Sequence, residues 1–305
     1  MLYFKKIAKM LFSIFLIGTL SFLLISLIPG EPATAVLGIE STPEELAAFR
    51  AAKGLDKNIL LQYINWLKGI ISGDFGESFK HNESVISIIS ARLPITLKVA
   101  FLSTLIIFII SIPASFILYK TKNKYVKKIE DFLVGVTIST PSFWLGMVFI
   151  FVFSIILKWF SSSYDNSLKS LILPCVVVAI PKIGVITSFL RSSLEAEMRK
   201  EYIRYLFVNG LKIKWLNMYI LKNSILSVIP LIGIMIIDLI TGIVIIEQLF
   251  SIPGIGRLLV TSIANRDIPL VLGLIFYTSV VLVFINFFID IIYTMIDPRI
   301  KGENQ

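Results

Sequence analysis

Six runs of apolar residues, at roughly 7–28, 97–119, 132–157, 171–190, 224–247 and 270–296, limit what this chain can fold into. Each reaches the ~18–20 residues that carry a helix across the hydrocarbon core of a bilayer. Backbone surrounded by lipid must satisfy its own polar groups, which makes these segments helices rather than isolated strands. With 56% apolar residues and a mean hydropathy of +0.87, the 305-residue chain is too hydrophobic for a soluble domain of this length. The expected class is all-α: a polytopic membrane protein with six transmembrane helices.

The net charge of +9 would suggest a nucleic-acid partner if the charges were spread evenly. They are not. Lys5, Lys6, Lys9, the five Lys between 120 and 128, seven Lys and Arg in 191–223, Arg299 and Lys301 all fall in alternate connections. Those connections hold 17 basic against 7 acidic residues, whereas the opposite ones hold 11 of each. Cytoplasmic loops keep the Lys/Arg excess, so both termini are expected in the cytoplasm. No basic patch interleaved with aromatics supports nucleic-acid binding, and none is expected.

Several chemistries are excluded by residue count. Cys175 is the only cysteine and His81 the only histidine, which removes an internal disulfide, a Cys/His metal cluster and a Ser-His-Asp triad. No G-x-x-x-x-G-K-[ST] occurs, so the chain is not expected to be an enzyme, and nucleotide hydrolysis would have to come from another chain.

Lys5, Lys6 and Lys9 precede the first run, and Ala33-Thr34-Ala35 has the look of a signal-peptidase site. The run exceeds the ~7–15 apolar residues of a signal peptide, so an uncleaved anchor over 1–28 is expected. The extracytoplasmic segment 29–96 opens at Pro29-Gly30-Glu31-Pro32. Thr42-Pro43-Glu44-Glu45 reads as a helix start, with Thr as cap, Pro in the first turn and Glu three residues on. Gly54 ends that helix. Asp56 is expected to cap a second, whose stripe Ile59, Leu60, Tyr63, Ile64, Leu67, Ile70 and Ile71 should lie on the membrane surface or the bundle. Gly73 to Ser78 reads as a turn.

Prolines interrupt the later runs at Pro113, Pro141, Pro174, Pro181 and Pro230. Within a span they free carbonyls that a neighbour or a water-filled path must satisfy, which suits a gated bundle and ordinary membrane packing alike. Two charges also lie deep. Counted from the outer ends of the fourth and fifth runs, Lys182 and Asp238 fall about 16 and 14 Å inside at ~1.5 Å per residue. Such residues face the interior and find partners. Either they form a structural ion pair or Asp238 lines a path.

The longest charged interruption in the second half is Arg191 to Asn223. Helical spacing places Tyr202, Leu206 and Phe207 on one face, and Gly210 breaks the helix where a left-handed turn is needed. A short amphipathic stretch, Ile213 to Ile220, follows. A helix–Gly–helix knob between two spans suits a groove on a cytosolic partner. The plainer alternative is a solvated basic loop.

This stretch resembles the coupling loop of ABC importer permeases of the dipeptide/oligopeptide/nickel family. That loop has Glu-Ala-Ala, three residues, Gly, nine residues, then Ile-x-Leu-Pro. Gly210 and Ile220 hold the Gly and Ile places; Arg204-Tyr205-Leu206 replaces Glu-Ala-Ala, and Lys222-Asn223 replaces Leu-Pro. The peptide/nickel form of the loop is matched at Tyr202, Arg204, Gly210, Leu211, Leu221, Lys222 and Asn223. Ser139 to Gly146 is similar to the family's Pro-x-Phe-Trp-Leu-Gly. Gly54-Leu55-Asp56, Gly73-Asp74-Phe75-Gly76 and Arg92-Leu93-Pro94 are similar to its first outer loop. The most specific match is Glu247 to Arg257, for Glu-x-x-Phe-x-x-Pro-Gly-x-Gly, followed by Asn265-Arg266-Asp267-Ile268-Pro269. Asp290 to Tyr293 and Asp297 to Ile300 fit the family's C-terminal end.

The resemblance implies a type I importer permease fold, with a core over 97–299 that includes the coupling loop 191–223, and a cytoplasmic tail over 300–305. It implies a multi-pass protein of the inner membrane that imports di- or oligopeptides, or nickel and metal chelates, by alternating access. The implied partners are a second homologous permease, two cytosolic ATPase subunits that bind ATP and Mg, an extracytoplasmic solute-binding protein and the lipid bilayer. No cofactor is expected in this chain. Tyr202, Arg204, Leu206, Phe207, Gly210 and Leu211 would couple to the ATPase. Phe250, Pro253, Gly254, Gly256, Arg257, Arg266 and Asp267 would lie on the loop facing the binding protein. A carboxylate at Asp238 tilts the expected cargo toward metals or cations. The rival readings are a self-sufficient secondary transporter, which would leave the knob without a purpose, and a non-transporting scaffold; co-purification with an ATPase separates both from the first.

Overall fold

A computed structural model describes residues 2–27, 30–38, 40–121 and 123–296. Pro29, Lys122, the match Asp297-Pro298-Arg299-Ile300, Lys301 and the 300–305 tail lie outside the described residues. Twelve helices follow in order: α1 (Leu2–Ser26), α2 (Pro32–Leu37), α3 (Pro43–Lys53), α4 (Ile59–Ser72), α5 (Val85–Lys120), α6 (Lys124–Ser139), α7 (Ser142–Phe149), α8 (Lys169–Met198), α9 (Glu201–Val208), α10 (Ile213–Leu249), α11 (Ile255–Ala264) and α12 (Ile268–Ile296). A π-helical stretch, Ile150–Ile156, continues α7. The only β-type pairing among the described residues is the single bridge between Glu77 and Ser84.

Local chemistry sets several boundaries. Thr42 caps α3 by accepting from the Glu45 amide at 3.3 Å, and the Glu45 carboxylate returns a bond to the Thr42 amide at 2.8 Å. Gly54 ends α3 at φ +67. The cap of α4 is Asn58, not Asp56 as expected: Asn58 Oδ1 accepts from the Leu60 amide at 3.0 Å. The capping residue must leave helical space while its side chain reaches back to a free amide, and Asn58 at ψ 138 meets both conditions.

Two expected spans begin earlier than hydropathy alone shows. α5 starts at Val85, so it has 36 residues rather than the 23 of the apolar run. α10 is one 37-residue helix, and the amphipathic stretch 213–220 forms its first turns. The run 132–157 departs most. It is two helical pieces, Lys124–Ser139 and Ser142–Ile156, bent by 99° at Thr140-Pro141. Pro141 cannot donate an amide hydrogen bond and forces the preceding residue out of helical space; Thr140 sits at φ −89, ψ 120. Among the described residues, five helices are long and apolar enough to cross a membrane, and six if the bent pair counts as one span.

The chain divides into two compact units. One comprises residues 1–96 and 253–287. Its apolar centre gathers Val85, Ile89, Ile255, Leu270 and Leu274, with a second cluster of Phe22, Ile25, Val271 and Leu272. Tyr63 and Trp66 set α4 on Phe22 at ring separations of 5.3 and 5.4 Å, and Thr19 and Tyr63 share a hydrogen bond of 2.8 Å. α4 therefore leans on α1, with Leu60, Ile64 and Ile71 of its stripe left exposed.

The second unit comprises residues 97–252 and 288–305. α8 is its axis, burying Leu173, Val177, Ile186, Leu190 and Leu194 against α6 and α10. Close approach depends on small residues, as in membrane helix pairs generally. A Cβ at Gly184 would lie 2.9 Å from Thr137 Oγ1, and one at Gly233 would lie 2.7 Å from Ile289 Cδ1. Ser193 Oγ donates to the Ser224 carbonyl at 3.2 Å across the α8–α10 contact.

Candidate functional site: the knob, the intramembrane pair and the outer motif

The knob is α9 with its two junctions. Lys200 is extended, Gly210 turns the chain at φ +79, and the Leu211 amide returns to the Leu206 carbonyl at 3.2 Å. Burial separates residues that periodicity grouped on one face. Ile203 is the residue turned inward, at 2% exposure, and Leu206 and Leu211 are half-buried. Tyr205, Phe207 and Val208 are 69%, 58% and 76% exposed, and Arg204 is exposed as well. An eight-residue helix that leaves three large apolar side chains outside is a surface awaiting cover.

Tyr202 keeps part of its ring exposed while its hydroxyl turns to the neighbouring helices. Its hydroxyl donates to Glu197 Oε1 and accepts from Asn223 Nδ2 at 2.6 Å, joining the end of α8 to the first turns of α10. Glu197 is buried, and its other oxygen meets Lys200 Nζ at 2.5 Å. Burial, then the bond to Glu197, pushes the Tyr202 phenol above its ordinary value.

Sequence reading assigned the Lys120–Lys128 cluster to topology alone. One of its members has a structural partner: Lys127 Nζ reaches Glu195 Oε1 at 2.6 Å. Beside it, Arg191 binds buried Glu130 at 2.9 Å, Asp131 at 3.3 Å and Glu195 at 3.5 Å. The i,i+4 spacing of Arg191 and Glu195 was a visible signal; the α6 partners were not.

Deeper in the same unit, Lys182 Nζ is paired with Asp238 Oδ2. The two sides are unequal: the Lys182 side chain is 19% exposed and that of Asp238 63%. Asp238 lies on a stripe of α10 with Ser227, Ile234, Thr241, Ile245 and Gln248, all exposed. Four of these six are polar, on a helix otherwise built of apolar residues. The charge of Asp238 in particular disfavours lipid on that face.

The outer motif proves largely internal. Phe250 is buried, and its carbonyl accepts from the Tyr164 amide at 2.9 Å. Gly254 and Gly256 are buried too. The Asp267 carboxylate, 1% exposed, accepts from Ser78 Oγ and from the Phe79 amide at 3.0 Å. Asn265 Oδ1 accepts from Lys80 Nζ at 2.7 Å, and the Arg266 guanidinium lies against Gly30. Phe250, Gly254, Gly256 and Asp267 are therefore buried within the chain itself. Pro253, Arg257 and Arg266 keep surface of their own.

Apolar spans, a charged pair on a polar helix stripe and an exposed knob together define a polytopic membrane transport subunit. The chain belongs to the family of binding-protein-dependent transport system inner membrane components, whose model matches residues 107–302, with the family's N-terminal region matching 1–100. It is a permease subunit of an ABC importer and a multi-pass protein of the inner membrane. Membership implies an ATPase and a solute-binding partner. The chain is 34% identical to a Brucella abortus (strain 2308) protein provisionally named a peptide transport system permease, over 98% of both chains. It is 32% identical to the oligopeptide transport system permease protein AppB of Bacillus subtilis (strain 168), over 93% of this chain and 94% of that one. It is 31% identical to the nickel import system permease protein NikB of Staphylococcus aureus (strain USA300), over 96% and 90%.

Proposed function

We propose that this chain pairs with a second, homologous permease, takes its drive from two cytosolic ATPase subunits through the 191–223 knob, and imports peptides or metal chelates. The relatives' names divide between peptide and nickel cargo, and a nickel ion or a peptide's ammonium group would each present positive charge to the path. The carboxylate of Asp238, more exposed than its Lys182 partner, supports a path that favours such charge. Both termini lie in the cytoplasm in this reading, supported by the one-sided excess of Lys and Arg. Arg257 and Arg266 belong to the surface that meets the binding protein.

The observation that carries the ATP-driven reading is the uncovered apolar group Tyr205, Phe207 and Val208 on α9. Phe207→Ala removes a side chain of the kind that anchors interfaces and should weaken ATPase docking by about 1–3 kcal/mol. Gly210→Val should do worse, because φ +79 is strained for a β-branched residue. Pull-down of the ATPase, with permease levels in the membrane checked, measures both. Undiminished capture by the two variants would reject the knob as the docking element.

A further inference from the structure

We propose that Tyr202 is a positioning residue: its hydroxyl couples the movement of α9 to α8 and α10 and does not itself contact the ATPase. This rests on the reading of the knob as the ATPase-docking element. α9 has eight residues, too few to hold a helix in water by backbone bonds alone, so its placement depends on tertiary anchors. Its single buried side chain is Ile203. The polar anchor is the chain Asn223 Nδ2–H to Tyr202 oxygen, and Tyr202 O–H to Glu197 Oε1.

Glu197 shows that this anchor is more than a chance contact. It is a buried carboxylate in the last turn of α8, where the helix dipole disfavours negative charge. Such a group persists only where donors satisfy it, and here they are the Lys200 ammonium, the Tyr202 phenol and the Asn223 amide. Tyr202 is the one of these that lies within α9. Without its oxygen, α9 would keep Ile203 and the backbone turns at Lys200 and Gly210. It would lose the only described polar side-chain link from α9 to both long helices. Movement imposed on α9 would then be absorbed at those turns.

α10 carries the readout, because Thr241 is exposed on the same stripe as Asp238. The buried Cys175 is replaced by Ala, and Thr241→Cys is introduced into the permease complex purified with its ATPase subunits. Labelling by a maleimide is timed with and without ATP and vanadate. Tyr202→Phe keeps the ring and removes the oxygen. The variant complex is expected to retain its ATPase subunits while the ATP-induced change in labelling rate falls about tenfold, the factor set by one hydrogen bond to a charged group. Asn223→Ala should have the same effect, and the double variant should be no worse than either single, because both act through one chain of bonds. A native ATP response in Tyr202→Phe, or additive losses in the double, would overturn the proposal. Loss of the ATPase subunits from Tyr202→Phe would also overturn it and make Tyr202 a docking contact. The underlying reading fails separately: in that case Phe207→Ala keeps both its ATPase subunits and its ATP response.

Discussion

Asp267 and Ser78, 189 residues apart in the chain, meet through a buried hydrogen bond between carboxylate and hydroxyl. The Asp267 carboxylate also accepts from the Phe79 amide at 3.0 Å, and Ser78 Oγ accepts from the His81 amide at 3.0 Å. One acidic side chain thus holds the whole 78–81 turn. Its motif neighbours act similarly, Asn265 on Lys80 and Arg266 against Gly30. The Asn-Arg-Asp sequence is a clasp on the outer segment.

Asp267→Ala should therefore leave the Ser78 hydroxyl and the Phe79 amide without their acceptor. Each orphaned buried donor costs about 1–3 kcal/mol. The expected outcome is faster proteolysis between residues 74 and 84, with ATPase capture intact. If proteolysis is unchanged and only binding-protein affinity falls, Asp267 is a contact residue after all.

The Arg191 cluster makes a second prediction. Arg191 is 11% exposed and Glu130 6%, so Arg191→Met strands a buried carboxylate. Removing one partner of a buried pair costs about 3–5 kcal/mol, whereas replacing both is far milder. The melting temperature in detergent should drop for Arg191→Met and largely recover on adding Glu130→Gln. Equal losses in the single and the double would show that Asp131 and Glu195 carry the arrangement instead.

These two clusters mark where sequence reading stops. The Thr42 cap was legible because all its partners lie within four residues. The Asp267–Ser78 bond was not, since nothing local signals a partner so far along the chain. The bonds of the Tyr202 hydroxyl were not legible either, because periodicity counts its ring as apolar and says nothing of where its hydroxyl can bond. Pro141 marked a break in the third run, but the size of the bend was not legible, because a proline signals a kink without fixing its angle. Asp56 and Asn58 are both good caps by composition, and backbone geometry decides between them. The spans and the knob were visible because hydropathy and the turn at Gly210 are local properties.

The Lys/Arg asymmetry predicts sidedness. In a Cys175→Ala background, Ser162→Cys should react with an impermeant maleimide in intact cells, and Lys124→Cys should react only after the membrane is opened. The reverse pattern would turn the bundle over and place α9 beyond the reach of any cytosolic ATPase.

The intramembrane pair separates a structural role from a path role. Lys182 is largely covered and Asp238 largely open, so the carboxylate can be hydrated by a path even without its partner. Asp238→Asn keeps an acceptor for the Lys182 ammonium and should keep the protein folded, while uptake of cationic cargo falls about tenfold, the factor for one charge-assisted contact. Lys182→Met should also accumulate normally, because the exposed carboxylate it leaves is not stranded in an apolar interior. The double variant should fold and remain as poor in uptake as Asp238→Asn, since the lost group is the one the cargo meets. Membrane levels by immunoblot and uptake of labelled tri-lysine and of nickel(II)–histidine are measured side by side. A structural pair gives the opposite signature: each single variant is depleted from the membrane, and the double restores both protein and transport.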